Sequence, residues 1–225
     1  MAFGDASFAS PKQLSCFQGT LVFATTPQLS QLHQNQTAPI SPISWSSKKI
    51  SRVVRSTLSA EAFSMSSVDQ MSWCRLLWGT LVVPEFHWRN PPEAFRHMHA
   101  AVVVTDCKSL CDLVSRRAMP SCAEYRTTLE VLLIKERCLE HCNFGWIPTA
   151  LRLADPLTKN MDATLLRAVL GQGSFQLLNE DANFQMNAHK KQAIQWIRKS
   201  HQKKILGSVN REFPVPWCDS SMNSA

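Results

Sequence analysis

Four stretches of the sequence hold a carboxylate where burial alone does not call for one. VVVTDCKSL runs from Val102 to Leu110, and its branched apolar run gives way to Asp106. STLSAEAFSM carries Glu61 with Leu58 three residues before it, Met65 four after and Val68 seven after. Those spacings put Glu61 on the apolar face of a helix. RLADPLTK holds Asp155 among small and apolar neighbours, and FGDASFAS holds Asp5 at the end of a short strand. A carboxylate on a buried face is costly unless it is paired or bound to metal. Hard oxygen donors of this kind suit Mg²⁺, which keeps several waters. Two such ions about 3.5–4 Å apart clamp a phosphodiester for in-line attack by water, and three or four carboxylates can hold them. Three of these acids also have an ordinary reading. Glu61 can reach solvent from the edge of its stripe, and Asp106 and Asp155 can cap the helices that follow them. Glu124, Glu130, Glu136 and Glu140 fall on the polar face of one helix and read as solvated.

The acids can meet only if strands and helices bring them together. Met1 to Ser7 reads as a strand stub. Leu14 to Thr25 is a strand with a central Gly19, and Pro42 to Lys49 a third and shorter one, with a loop between them. Thr57 to Leu81 has three- and four-residue apolar steps and reads as one long helix, capped by Ser56 or Thr57. The run before Asp106 is a strand buried on both faces. A short helix follows it, then a strong helix over Cys122 to Cys142, then a last strand in NFGWIPT, with helical turns in LADPLTK and ATLLRAVL. This order predicts an α/β fold whose mixed sheet begins as an antiparallel meander and continues with parallel strands through helical crossovers. The compact domain is expected over residues 1–170, followed by a basic extension over 171–225 that is partly helical or disordered.

The chain has 225 residues, 44% of them hydrophobic, with 24 Lys and Arg against 17 Asp and Glu for a net charge of +7. A basic chain of this kind leans towards a polyanion. The eight cysteines form no CxxC pair and read as reduced thiols of an intracellular protein, cytoplasmic or nuclear. Cys107/Cys111 and Cys138/Cys142 are helical i,i+4 pairs without partner ligands, which argues against a zinc site. The apolar run Leu76 to Val83 is too short to span a bilayer, which takes about 20 residues, so no membrane partner is expected. Trp45, Trp73 and Trp146 read as core residues. Lys48, Lys49, Arg52 and Arg55 in KKISRVVR precede the Glu61 helix and are candidates for phosphate contact, with a solvated strand end as the alternative. Lys190, Lys191, Arg198, Lys199, Lys203, Lys204 and Arg211 make the tail basic.

Taken in order, DASFAS, the Gly19 strand, SPISWSSKK, RSTLSAEAFSM, VVVTDCKSL and WIPTALRLADPLTK resemble the ribonuclease H domain of Ty1/copia-type retrotransposon Pol polyproteins. The resemblance covers Met1 to Leu170 and is most specific in SWSSKK, STLSAEA, WIPT and LADPLTK. It implies a ribonuclease H-like fold, a five-stranded mixed sheet with helices on its faces. It implies an Asp-Glu-Asp-Asp metal site, which falls on Asp5, Glu61, Asp106 and Asp155. It also implies Mg²⁺ as cofactor, with Mn²⁺ as substitute, an RNA–DNA hybrid as substrate and a reverse transcriptase portion of the polyprotein as partner. The implied activity is hydrolysis of the RNA strand, and the alternative is a non-catalytic nucleic-acid-binding remnant of the same domain. The sequence departs from the family at Cys107, where many relatives have Asn, and only four residues precede Asp5.

Overall fold

The computed structural model describes residues 1–8, 15–30, 36–65, 67–82, 89–90, 95 and 98–177. The basic tail lies outside them. The strands are β1 (Ala2–Ser7), β2 (Phe17–Thr25), β3 (Gln36–Lys49), β4 (Ala101–Thr105), β5 (Cys142–Trp146) and β6 (Ser174–Leu177). The helices are α1 (Thr57–Ser64), α2 (Ser67–Val82), α3 (Lys108–Ser115), α4 (Tyr125–His141) and α5 (Thr164–Gln172). Short 3₁₀ turns occupy Pro27–Ser30, Thr149–Leu151 and Asp155–Leu157.

All described strands join one sheet in the order β5-β4-β1-β2-β3-β6. β1, β2 and β3 form the expected antiparallel meander, and β4 and β5 add in parallel beside β1. The sheet has six strands rather than five, because β6 pairs with Gln36–Pro39 at the start of β3. That pairing also explains why β3 begins at Gln36, in a Thr- and Pro-containing stretch that reads as loop. Gly173 makes β6 possible. It ends α5 at φ 64, donates its N–H to Val169 O, and turns the chain back along β3. A left-handed φ of this kind suits glycine, which has no Cβ to clash. The described sheet therefore continues past residue 170.

Two apolar layers hold the sheet between them. On one face Ala2, Val22 and Val103 pack with Ala62 of α1 and Met65 at its C-cap, Met71 of α2, Leu110 and Val114 of α3, and Val131 and Ile134 of α4. On the other, Phe3, Leu21, Phe23, Val102 and Val104 pack with Ile147, Leu151, Leu153, Val169 and Phe175. Phe3 meets Phe23 and Phe175 edge to face, with ring centroids 5.8 and 5.3 Å apart. The valines of β4 serve both layers, as an unbroken apolar run should.

The long helix expected over Thr57 to Leu81 is two helices. The Ser64 hydroxyl donates to Glu61 O at 2.7 Å and Met65 leaves the helical path, so α1 ends before α2 begins. The same carbonyl also accepts from Met65 N–H at 3.3 Å, so the Ser64 hydroxyl shares the last helical acceptor of α1. Ser56 caps α1 as expected, accepting from Ser59 N–H at 3.1 Å. No helix among the described residues is long and apolar enough to cross a membrane.

Candidate metal centre

Strand register decides where the acids stand. β1 lies parallel to β4 with Phe3 opposite Val104. Two residues further along each strand come Asp5 and Asp106, so register alone sets them side by side at one end of the sheet. Asp5 is completely buried, flanked by β2 through Gly19. α1 packs across β1 and β2, and Glu61, 8% exposed, points inward with Ala60 and Ala62 on either side. Asp106 does not cap α3. The N-cap position belongs to Cys107, which has no side-chain cap bond, and Cys107 N–H is taken by Thr105 Oγ1. Asp155 does not cap its turn either. It stands at the first turn position after Ala154.

One oxygen each of Asp5, Glu61 and Asp106 lies within 4.8 Å of the others, so this buried triad could hold a metal ion. Two of its oxygens are buried without a hydrogen-bond partner: Glu61 Oε2 and Asp106 Oδ1. Such orphans are costly, and a hard cation between them would relieve both. Asp155 joins the cluster through a cation. Arg152 donates from Nη1 to Asp5 Oδ1 and, at 2.7 Å, to Asp155 Oδ1, and from Nη2 to Asp106 Oδ2. Lys159 Nζ donates to Asp155 Oδ1 at 2.8 Å. The Thr158 hydroxyl donates to Asp5 Oδ2, and the Thr149 hydroxyl to Asp106 Oδ2 at 2.9 Å. All the donors offered to an ion are oxygens, the set that suits Mg²⁺, Mn²⁺ or Ca²⁺ rather than a thiolate metal.

Burial dominates the electrostatics. It pushes the Glu61 carboxyl up to about 8, helped by the charges of Asp5 and Asp106 and opposed by Arg152 and Lys159. Burial also raises Asp5 and Asp106, with Arg152 pulling each of them back down. For Arg152 burial works against the charge, but the surrounding carboxylates outweigh it and hold the guanidinium protonated.

Gly19 lets the Asp155 turn come this close. A Cβ at Gly19 would meet Leu157 Cβ at 2.8 Å, Thr158 Cγ2 at 2.9 Å and Ala154 O at 3.2 Å. Ser47, the β3 neighbour of Gly19, holds the same turn by donating to Leu157 O at 2.6 Å. Gly19→Val is therefore expected to push the Asp155–Thr158 turn off the sheet. The expected cost is about 2–3 kcal/mol in denaturant unfolding, the range of an overpacked core site. Unchanged stability would show that the turn has room.

All four sequence-selected acids meet here, three as a triad and Asp155 through Arg152. Sequence reasoning missed Arg152, Thr149, Thr158 and Lys159. The signal was present for two of them, since Arg152 and Lys159 stand three before and four after Asp155, at helical spacing. Lys48, Lys49 and Arg55 are exposed, and register carries the two lysines to the Asp5 end of the sheet, opposite Gln18 and Phe17. Arg52 is committed elsewhere. It pairs with Glu130 at 2.8 Å and stacks 4.1 Å from the Phe63 ring centre, so Glu130 is not simply solvated. Trp45 and Trp73, expected in the core, are 67% and 61% exposed. Trp45 lies on the part of β3 that pairs only with β2, and α2 turns Met71 inward instead of Trp73. Trp146 is half-buried and donates its indole N–H to Asp106 O at 2.8 Å.

No protein-family model, curated protein or solved structure matches the chain.

Proposed function

We propose that this chain hydrolyses the RNA strand of RNA–DNA hybrids with divalent metal, Mg²⁺ or in its place Mn²⁺, in a ribonuclease H-like domain of the Ty1/copia retrotransposon type. The observation that carries the reading is the convergence of Asp5, Glu61 and Asp106, with two buried carboxylate oxygens left open. The sheet supports it as well. An antiparallel meander followed by two parallel strands is the order the resemblance implies, with β6 as an addition at the far edge.

Asp5, Glu61, Asp106 and Asp155 are the residues that would hold metal. Bound there, divalent ions would polarise the scissile phosphate and make water a nucleophile near neutral pH. The chain's own residues do the rest. Thr158 and Thr149 fix the rotamers of Asp5 and Asp106, so the ligand oxygens are set before metal arrives. Lys48, Lys49 and Arg55 supply positive charge on the approach to the site. They suit a hybrid, which is recognised by backbone and shape rather than by sequence.

The test is a hybrid with a labelled RNA strand, incubated with Mg²⁺ or with chelator, beside the same RNA as a single strand. Cleavage of the hybrid alone, and only with metal, supports the proposal. A second reading has Arg152 behind it. A chain that had exchanged its ions for an arginine would bind the hybrid and leave it intact, and binding without cleavage in that assay identifies it.

The grip makes a separate prediction. Replacing Lys48 and Lys49 together by Ala should lower the slope of log affinity against log salt by about 1–2, at roughly 0.9 per phosphate released. Arg52→Ala should change the slope less and lower the melting temperature instead, because Arg52 packs on Phe63 and pairs with Glu130. Equal slope losses in both variants would show that Arg52 also contacts phosphate.

A further inference from the structure

The Asp-Glu-Asp-Asp reading assigns these carboxylates to two ions, yet a guanidinium already bridges three of them. Arg152 reaches Asp5 and Asp155 with one nitrogen and Asp106 with the other. Its side chain is 10% exposed, and its position is fixed from both sides. Leu151 and Leu153, its chain neighbours, are both buried in the core cluster, and its N–H is held by Thr149 O at 3.2 Å. The side chain therefore points into the acids as a consequence of the fold.

Arg152 divides the site into two parts. On the Asp155 side, Asp5 Oδ1, Asp155 Oδ1 and Asp106 Oδ2 are all spent on the guanidinium. On the α1 side, Glu61 Oε2 and Asp106 Oδ1 are spent on nothing and are buried. Charge divides the same way. With all four ionised, the carboxylates face two cations, Arg152 and Lys159, which leaves two negative charges, the amount one divalent ion cancels.

We propose that Arg152 stands in for one of the two ions, so that the chain binds a single divalent ion, through Asp5, Glu61 and Asp106. This rests on the reading of the acids as a metal site, and it does not depend on the nucleic acid that is cleaved. Arg152 then does the electrostatic work of the second ion. Its fork neutralises Asp155 and the outer oxygens of Asp5 and Asp106, and it keeps them oriented. A guanidinium carries no water, so activation of a nucleophile would fall to the single ion that Asp5, Glu61 and Asp106 would hold.

The test is a titration of the full chain with Mn²⁺ alone, reading free Mn²⁺ by its paramagnetic resonance signal and heat by calorimetry. One ion per chain is expected for the wild type and for Arg152→Lys. Two are expected for Arg152→Gln, which removes the charge and opens the Asp155 side. Glu61→Gln should weaken the wild-type ion at least as much as the roughly 10–100-fold that outer-shell changes cost, and Asp155→Asn should weaken it far less. Two ions on the wild type, or one on a folded Arg152→Gln, overturns the inference. The wild-type count decides the matter even where Arg152→Gln fails to fold. Two ions together with hybrid cleavage would sink the inference and leave the proposed function standing. No ion on any variant, with no cleavage, would remove both.

Discussion

Asp106→Asn is expected to lower hybrid cleavage by about a thousandfold or more while the chain stays folded. The reason lies in how its two oxygens are used. Oδ2 accepts from Thr149 and Arg152, and an asparagine amide oxygen can accept from both in the same place. Oδ1 is the buried oxygen without a partner, and the substitution turns that position into an N–H₂ group. A donor facing the triad repels a cation and leaves Glu61 and Asp5 short of a ligand. A metal held here would contribute several kcal/mol of transition-state stabilisation, and each 1.36 kcal/mol is tenfold in rate. Hybrid binding should hold within about twofold, because phosphate contacts position the nucleic acid. Glu136→Gln, on the exposed face of α4, is the control and should leave the rate unchanged. Full activity in Asp106→Asn would remove Asp106 from the site.

The second large effect is on stability, in Glu61→Gln. In the folded, metal-free chain Glu61 titrates at about 8, against an ordinary 4.5. Below 4.5 the carboxyl is protonated in both states and costs nothing. Between 4.5 and 8 the unfolded chain releases its proton while the folded chain keeps it, so stability falls as pH rises, and above 8 the loss is complete. Glutamine cannot titrate, and its amide N–H₂ can donate to the neighbouring carboxylates. In chelator at pH 8, Glu61→Gln should therefore melt about 3–8 °C above the wild type, a gain on the order of 1–3 kcal/mol for a chain of this size. At pH 5 the gap should nearly close. With Mg²⁺ at a hundred times the wild type's dissociation constant the gap should shrink or reverse, because the wild type gains about 2.7 kcal/mol from binding and the weaker-binding variant gains less. A gap that does not change with pH would show that Glu61 is not held neutral by burial.

Legibility followed the length of the apolar pattern. The Val102–Val104 run marked a central strand, and the Leu58/Met65 spacing turned Glu61 inward, so the acids could be chosen from periodicity and element ends. Register, a pairwise property of β1 and β4, then brought Asp5 level with Asp106. β6 was not legible. SFQL is four residues long, and its place is set by Gly173 and by pairing with distant Gln36–Pro39. α1 and α2 divide at Met65, where the backbone leaves the helical path although the apolar pattern runs on through it. Trp73 misled because α2 is apolar on several sides and the period does not say which side is covered. Arg152 was overlooked because a lone arginine beside leucines reads as surface. Only the burial of Leu151 and Leu153 on either side turns it into the acids.

The measurement that bears most directly on the proposed reaction is the chemistry of the cut ends. With the RNA strand labelled, the wild-type chain in Mg²⁺ should release fragments with a 5′-phosphate and a 3′-hydroxyl. Those ends follow from water attacking the phosphorus with the 3′-oxygen leaving. The products should vanish with chelator and with Asp106→Asn. Fragments ending in a 2′,3′-cyclic phosphate, or cleavage that persists in chelator, would contradict the account, because attack by the RNA's own 2′-hydroxyl needs no carboxylate-held metal.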